Sequence, residues 1–271
     1  MTRRSGWGAT ASAFVGGVLL LVSQATLAFN NLFGGLEGAT PPNILLIIAD
    51  DYGIDVSELY TKTGDIPPAP TISKIARHGI KFNRAWSYPT CTPTRASIIT
   101  GQYGFRTDVR FALFPPGPSL PGGQSPPPGG IDVGNPYTLP KVLKDAGLGY
   151  TTAAIGKWHL TTGPALPPGG GGSIAYLLND PYEAGFDYFA GFFAGAVPDY
   201  FNWNKLINNG PTVIGPVPTT TYTTTDQVNE AKNFIANQGH DPWFLWLALN
   251  APHDPFQLPP EDLVPQNIVD E

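Results

Sequence analysis

Apolar positions fall into short blocks separated by polar, Gly-rich and Pro-rich stretches. Asn43-Ile44-Leu45-Leu46-Ile47-Ile48-Ala49 is a nearly unbroken apolar run rich in β-branched residues. It is too short for a typical helix and predicts a strand buried on both faces. Further strands are expected over Ile80 to Trp86, Gly149 to Ile155 and Trp243 to Leu249. Between them the pattern predicts helices. One opens at Pro70 and is stopped by Gly79; another spans roughly Arg95 to Thr100, after a turn at 90–95, and is stopped by Gly101. A third runs from Thr138 to Ala146, with Thr138 as its cap and Gly147 ending it. An amphipathic helix is expected from Asp226 to Asn237, and residues 211–225 read as extended chain or loop. Alternating strands and helices imply an α/β fold with helices on both faces of a sheet. There is no internal repeat.

Composition narrows the picture. The 271 residues include 32 Gly and 30 Pro, concentrated in tracts such as 114–136 and 163–172 without a triplet period. That distribution implies long loops around a packed domain, not a collagen-like chain. The net charge is −6 and no basic block is present, which argues against nucleic acid as a partner. A single cysteine excludes an internal disulfide framework and a multi-Cys zinc site, but leaves room for one reactive thiol. Arg3 and Arg4, the apolar stretch Ala11 to Val22 and the small residues up to Ala28 read as an export signal over 1–28, cleaved after Ala28. The expected location is periplasmic or extracellular, with residues 29–271 as the mature chain. An uncleaved anchor is the alternative, although the apolar run is short for a membrane span.

Polar groups gather where three of the strands end. Asp50-Asp51 follows the first, Lys157 and His159 follow the strand ending near Ile155, and His253 follows the last. Open α/β sheets place ligands at those ends. Alone, each group has an ordinary reading: a solvated turn, strand-end polarity, a structural histidine, an inert thiol at Cys91. His78 and His240 sit in no motif and read as surface residues. Aromatic residues between Asp199 and Trp203 would suit either a sugar ring or core packing.

The order of the segments adds information. Cys91-Thr92-Pro93-Thr94-Arg95, continuing through Ala96-Ser97-Ile98-Ile99-Thr100-Gly101, resembles the signature of the type I sulfatases. Thr94 stands where that family usually has Ser. Asn43 to Gly53 looks like the family's first metal-binding strand, Gly156-Lys157-Trp158-His159-Leu160 like its Gly-Lys-Trp-His-Leu motif, and Phe244 to Pro255 like its strand ending in a sulfate-contacting histidine. The resemblance covers roughly 41–265 and is nearest to the arylsulfatase B type.

The resemblance implies an alkaline-phosphatase-like sandwich with a mostly parallel central sheet. It implies that a formylglycine-generating enzyme converts Cys91 to formylglycine, and that one divalent cation, most often Ca²⁺, is bound by Asp50, Asp51 and the modified Cys91. It further implies cleavage of aryl or carbohydrate sulfate esters. One hydroxyl of the aldehyde hydrate attacks sulfur and displaces the alcohol; the second loses its proton, expels sulfate and regenerates the aldehyde. Arg95 would hold the hydrate, Lys157 the hydrate and sulfate, and His159 would take the proton that releases sulfate. His253 would contact sulfate or protonate the leaving oxygen.

The family's later Asp-Asn-Gly metal segment and a second sulfate-contacting lysine have no counterpart here. The chain therefore reads as the N-terminal catalytic part of a sulfatase with its C-terminal part missing. That reading predicts a loose metal shell, an apolar sheet edge and weak turnover from residues 29–271 alone. Two rival functions are a phosphate or phosphonate ester hydrolase of the same superfamily, and a non-catalytic sulfated-glycan binder that keeps Cys91 unconverted.

Overall fold

A computed structural model describes residues 41–61, 64, 66–113, 130–132, 134–135, 137–160 and 180–264. The expected export signal, the 163–172 loop and most of the 114–136 loop lie outside these residues. Six strands form one sheet: β1 (Ile44–Ile48), β2 (Thr151–Lys157), β3 (Tyr188–Phe192), β4 (Trp203–Asn209), β5 (Thr212–Thr219) and β6 (Trp243–Ala248). Their spatial order is β1-β6-β2-β3-β4-β5. The first three pairings in that order are parallel and the last two antiparallel, so the expected mostly parallel sheet carries an antiparallel hairpin at one side.

Side-chain alternation along the central strands sorts the core into two layers. Phe244, Trp246 and Ala248 of β6 and Ala154 of β2 face a cluster that includes Ala96, Ile99, Trp158 and Phe186. The helices on this face are α2 (Cys91–Thr100) and α4 (Leu139–Asp145). Leu245 and Leu247 of β6, with Ala153 and Ile155 of β2, face Ala231 and Phe234 of α6 (Thr223–Ala236). Helices therefore cover both faces at the sheet's centre. The short helices α3 (Gly104–Thr107) and α5 (Asp180–Glu183) complete the set with α1 (Pro70–His78).

Several elements depart from the sequence reading. Among the described residues β1 is an edge strand, not a strand buried on both faces. Ile44, Leu46 and Ile48 pack on the first core cluster, but Leu45 and Ile47 are 46% and 50% exposed. Among the described residues nothing buries their face. Residues 80–86 form no strand: Ile80, Phe82 and Trp86 are exposed. That segment is tied down by hydrogen bonds from the Tyr60 hydroxyl to the Phe82 carbonyl (2.9 Å) and from Lys81 to the Leu59 carbonyl (3.1 Å). Nor is 90–95 a turn. Thr90 is extended and α2 starts at Cys91, with Pro93 in the first turn, where its missing N–H costs no intrahelical bond. Thr138 does stand at the start of α4, but its hydroxyl donates to the Ala184 carbonyl (2.6 Å) instead of capping the helix.

Three of the four expected strands form; β3 and β4 are additional, and β5 resolves the 211–225 segment as partly extended. Gly and Ala dilute the apolar pattern of β3, and Asn and Lys that of β4. Asn209 pairs with Thr212, so Gly210-Pro211 forms the two-residue turn between β4 and β5, with Gly210 first at φ 57°. α6 starts three residues before the expected Asp226 because Thr223 donates both its N–H (2.8 Å) and its hydroxyl (3.0 Å) to the Tyr200 carbonyl.

The sheet's C-terminal ends are packed backbone to backbone. Gly156 lies opposite Ala248 on one side and Gly191 on the other. It has φ 99°, and a Cβ there would run into the Ala248 carbonyl. Gly156→Ala is therefore expected to lower stability by roughly 2–3 kcal/mol, from overpacking plus a disallowed backbone. Urea unfolding checks this; a change under about 0.5 kcal/mol would contradict the packing described.

Candidate functional site

Four segments meet at this end of the sheet. The β1–β6 pairing continues past both strands, with Leu249 N–H donating to Ile48 O (2.9 Å) and Asp50 N–H to Ala251 O (3.2 Å). This brings Asp50 beside the loop that carries His253. β2 delivers Lys157, and His159 follows two residues later at φ 54°. α2 points its N-terminus, with Cys91 as first residue, toward them.

Contacts tie the segments together. Arg95 is 1% exposed, and its guanidinium donates to the Lys157 carbonyl (2.7 Å) while another nitrogen stands 3.7 Å from Asp50 Oδ1. The Lys157 ammonium, wholly buried, donates to Asp50 Oδ2. One buried carboxylate thus sits between two buried cations. Burial is the largest influence on Arg95 and lowers its pKa, while Asp50 and Cys91 oppose the shift. Among the described residues Arg95 Nε and Nη2 meet no acceptor within hydrogen-bond distance, Nη2 being the nitrogen 3.7 Å from Asp50, which leaves both donors available to an anion or hydroxyl.

His159 stands over the cysteine. Its Nδ1 is 3.2 Å from Cys91 Sγ and 3.4 Å from Thr92 Oγ1, and its Nε2 is 2.5 Å from the Leu113 carbonyl. A carbonyl only accepts, so Nε2 carries the proton and Nδ1 presents a lone pair to Cys91. Gly195 packs on the ring, where a Cβ would stand 2.8 Å from Cε1. Desolvation, helped by the positive charges of Lys157 and Arg95, lowers the His159 pKa from 6.5 to about 4. At neutral pH the imidazole is a neutral base.

This shift has a consequence for stability. The unfolded chain's His159 takes up a proton below its ordinary 6.5, whereas the folded chain resists until about 4. The native state thus holds this contribution in full above pH 6.5 and loses it as pH falls toward 4. The loss is about 3 kcal/mol at most. Urea midpoints measured between pH 7 and pH 4 are expected to fall less steeply for His159→Gln than for the parent; parallel slopes would contradict the assignment.

Thr94 occupies the position where the sulfatase signature usually has Ser. Its hydroxyl accepts from the Tyr88 N–H (3.1 Å) and lies 2.9 Å from the Thr90 carbonyl and 3.2 Å from that of Tyr88. These are hydroxyl contacts with the chain entering α2, and they do not depend on the extra methyl group.

His253 lies on the loop that Asp50 meets at Ala251. Its Nδ1 is 2.8 Å from both the carbonyl and a carboxylate oxygen of Asp254, and its Nε2 is 3.7 Å from Asp51 Oδ2. Asp51 is exposed, at φ 62°. The structure thus joins Cys91, Arg95, Lys157, His159 and Asp50 in one contact network, with Asp51 and His253 forming a second pair beside it. His78 and His240 are exposed, as expected.

The carboxylates Asp50 and Asp51 have the hard oxygens that Ca²⁺ prefers, but the ion takes about six to eight. Among the described residues no group of three or more His, Cys, Asp or Glu side chains could hold a metal ion. Asp50 is moreover already neutralised by Lys157 and Arg95. The described residues do not by themselves make a calcium site. The sequence reading also missed Tyr200 and Asn250, which contact the His253 segment. Of the aromatics in the 199–203 stretch, Tyr200 and Trp203 turn out to be core, buried with Phe192 and Val197, while Phe201 is exposed. No local pattern marked Tyr200 as part of the site; its signal is purely spatial.

Comparison with known proteins fits this geometry. The sulfatase family model matches residues 42–267, and the chain belongs to that family. It is 30% identical over 246 residues to Arylsulfatase J of Mus musculus, covering 83% of this chain and 35% of that protein. It is 29% identical over 255 residues to N-acetylgalactosamine-6-sulfatase of Sus scrofa, covering 88% of this chain and 44% of that protein. Among solved structures, Ps i-CgsB in complex with k-i-k-neocarrahexaose aligns with TM-score 0.61 at 28% identity, over 82% of this chain and 47% of that one. The chain thus spans between about a third and a half of the length of these relatives.

Proposed function

We propose that this chain carries the nucleophile-bearing half of a sulfuric ester hydrolase acting on aryl or carbohydrate sulfates. The observation that carries the reading is the placement of Cys91 at the N-terminus of α2, 3.2 Å from the bare Nδ1 of a neutral His159 and beside the open donors of Arg95. Oxidised to formylglycine by a formylglycine-generating enzyme and hydrated, position 91 supplies an oxygen nucleophile for sulfur and a second hydroxyl for release of sulfate. The protein's own groups do the rest. His159 Nδ1 accepts a proton from position 91. Arg95, Lys157 and the α2 N-terminus set positive potential where the anion's charge develops. His253, on the neighbouring loop, would protonate the leaving oxygen. Asp50 and Asp51 offer part of a Ca²⁺ shell, and no step here is routed through the ion. The N-terminal sequence, with its basic start, apolar stretch and small residues up to Ala28, supports an exported enzyme, periplasmic or extracellular.

The test is co-expression of the full chain with a formylglycine-generating enzyme. The Cys91 peptide is then read by mass spectrometry, and kcat/KM is compared on matched aryl sulfate and aryl phosphate esters. The aldehyde together with preferential sulfate turnover is expected. Aldehyde with faster phosphate turnover would instead mark a phosphate ester hydrolase. Sulfated-glycan affinity with an unconverted thiol and no turnover would mark a binder.

A further inference from the structure

We infer that Tyr200 is a positioning residue for His253, its phenol latching the loop that carries this histidine to the end of β6. The inference rests on the sulfatase reading for the importance of His253, but its geometry stands apart from it. Tyr200 is 3% exposed, and its ring stacks on Tyr222 at 5.6 Å between centroids. Its hydroxyl donates to the His253 carbonyl (2.7 Å) and accepts from Asn250 Nδ2 (2.7 Å). The His253 N–H returns to the Asn250 carbonyl (3.0 Å), closing a ring of three hydrogen bonds through Tyr200, Asn250 and His253. Farther along the same loop, Gln257 Oε1 accepts from the Tyr200 N–H (2.6 Å). Tyr200 therefore grips the loop at both ends of the span 250–257, while its own carbonyl is held by Thr223 at the start of α6.

The latch matters because the His253 ring has little else to hold it. Among the described residues its partners are its neighbour Asp254 and, at 3.7 Å, the exposed Asp51. Burial raises the Tyr200 pKa to about 12, so the phenol keeps its proton and remains a donor across the working pH range. Asn250 is fully buried, and its Nδ2 turned toward Tyr200 fixes which side of the phenol oxygen accepts. The hydroxyl thus acts on the histidine through the backbone, without touching the reacting atoms.

The test uses the full chain labelled at histidine Cε1 and read by NMR, with His253 assigned through His253→Gln. Tyr200→Phe keeps the ring and its stacking but removes the hydroxyl. The expected result is displacement and broadening of the His253 signal, with those of His78, His159 and His240 unmoved. On an aryl sulfate, kcat is expected to fall several-fold with KM little changed. Asn250→Ala, which removes only the donor to the phenol, is expected to move the same signal less, and it replaces Tyr200→Phe if that variant does not fold. An unmoved His253 signal overturns the latch, whatever the activity. A displaced signal in a protein without sulfate turnover upholds the latch while overturning the sulfatase reading.

Discussion

Replacing Cys91 with alanine is expected to lower kcat/KM on an activated aryl sulfate by roughly a thousandfold or more, with little change in fold. Cys91 is the first residue of α2, half-buried, and its sulfur faces His159 Nδ1. Alanine is the best helix former, so the variant keeps the helix start and its stability should change by about 1 kcal/mol or less. What disappears is the only atom at this position able to become a nucleophile. Serine gives a finer result. A single hydroxyl can attack sulfur, but it offers no second oxygen to expel the sulfate. Cys91→Ser is therefore expected to release at most one equivalent of alcohol and then stop, leaving a mass increase on the protein. Initial rates, burst amplitude and thermal unfolding, measured together, check both variants. Steady turnover by Cys91→Ala would remove position 91 from the reaction.

The second large effect is on stability. Lys157→Met is expected to cost about 3–5 kcal/mol, because it leaves the buried Asp50 carboxylate without its ammonium partner. Arg95 cannot take over in place: its nearer nitrogen is 3.7 Å away, and another is committed to the Lys157 carbonyl. Methionine has a similar length and packs well in apolar surroundings, so the loss reports the broken ammonium–carboxylate pair and not a cavity. The double variant Lys157→Met, Asp50→Leu leaves the Arg95 guanidinium as the one buried charge of the triad, so only part of the lost stability should return. Urea unfolding of the parent, both single variants and the double variant completes the cycle. A Lys157→Met variant within about 1 kcal/mol of the parent would show that Asp50 is solvated or protonated in the folded chain, contrary to the buried triad described.

Much of the site was legible because its groups lie in short contiguous motifs. Cys91 to Arg95 is one turn of helix, so chain connectivity alone places the cysteine and the guanidinium together. Lys157 and His159 follow a strand whose apolar run is clear. What no motif showed is which group neutralises which. Read as separate roles, Asp50 was a metal ligand and Lys157 a sulfate contact; in the fold they form a buried ion pair. Tyr200 was read only as an aromatic of open purpose, because its contacts to Asn250 and His253 span 50 and 53 residues. No local periodicity encodes such a contact.

The same division holds for the whole protein. The sequence by itself determined the central strands β2 and β6, the helices opened by Pro70 and closed by Gly79 and Gly101, and which polar groups stand at the strand ends. Each of those depends on local propensity or on a motif only a few residues long. The tertiary structure decided the rest. It made β1 an edge strand, because burial of Leu45 and Ile47 depends on what lies across the sheet and not on their own apolar character. It left 80–86 without strand pairing, since a strand exists only with a partner for its backbone. It also set His159 as a neutral base, because desolvation and the charges of Lys157 and Arg95 act through space, from residues that only folding brings beside the ring.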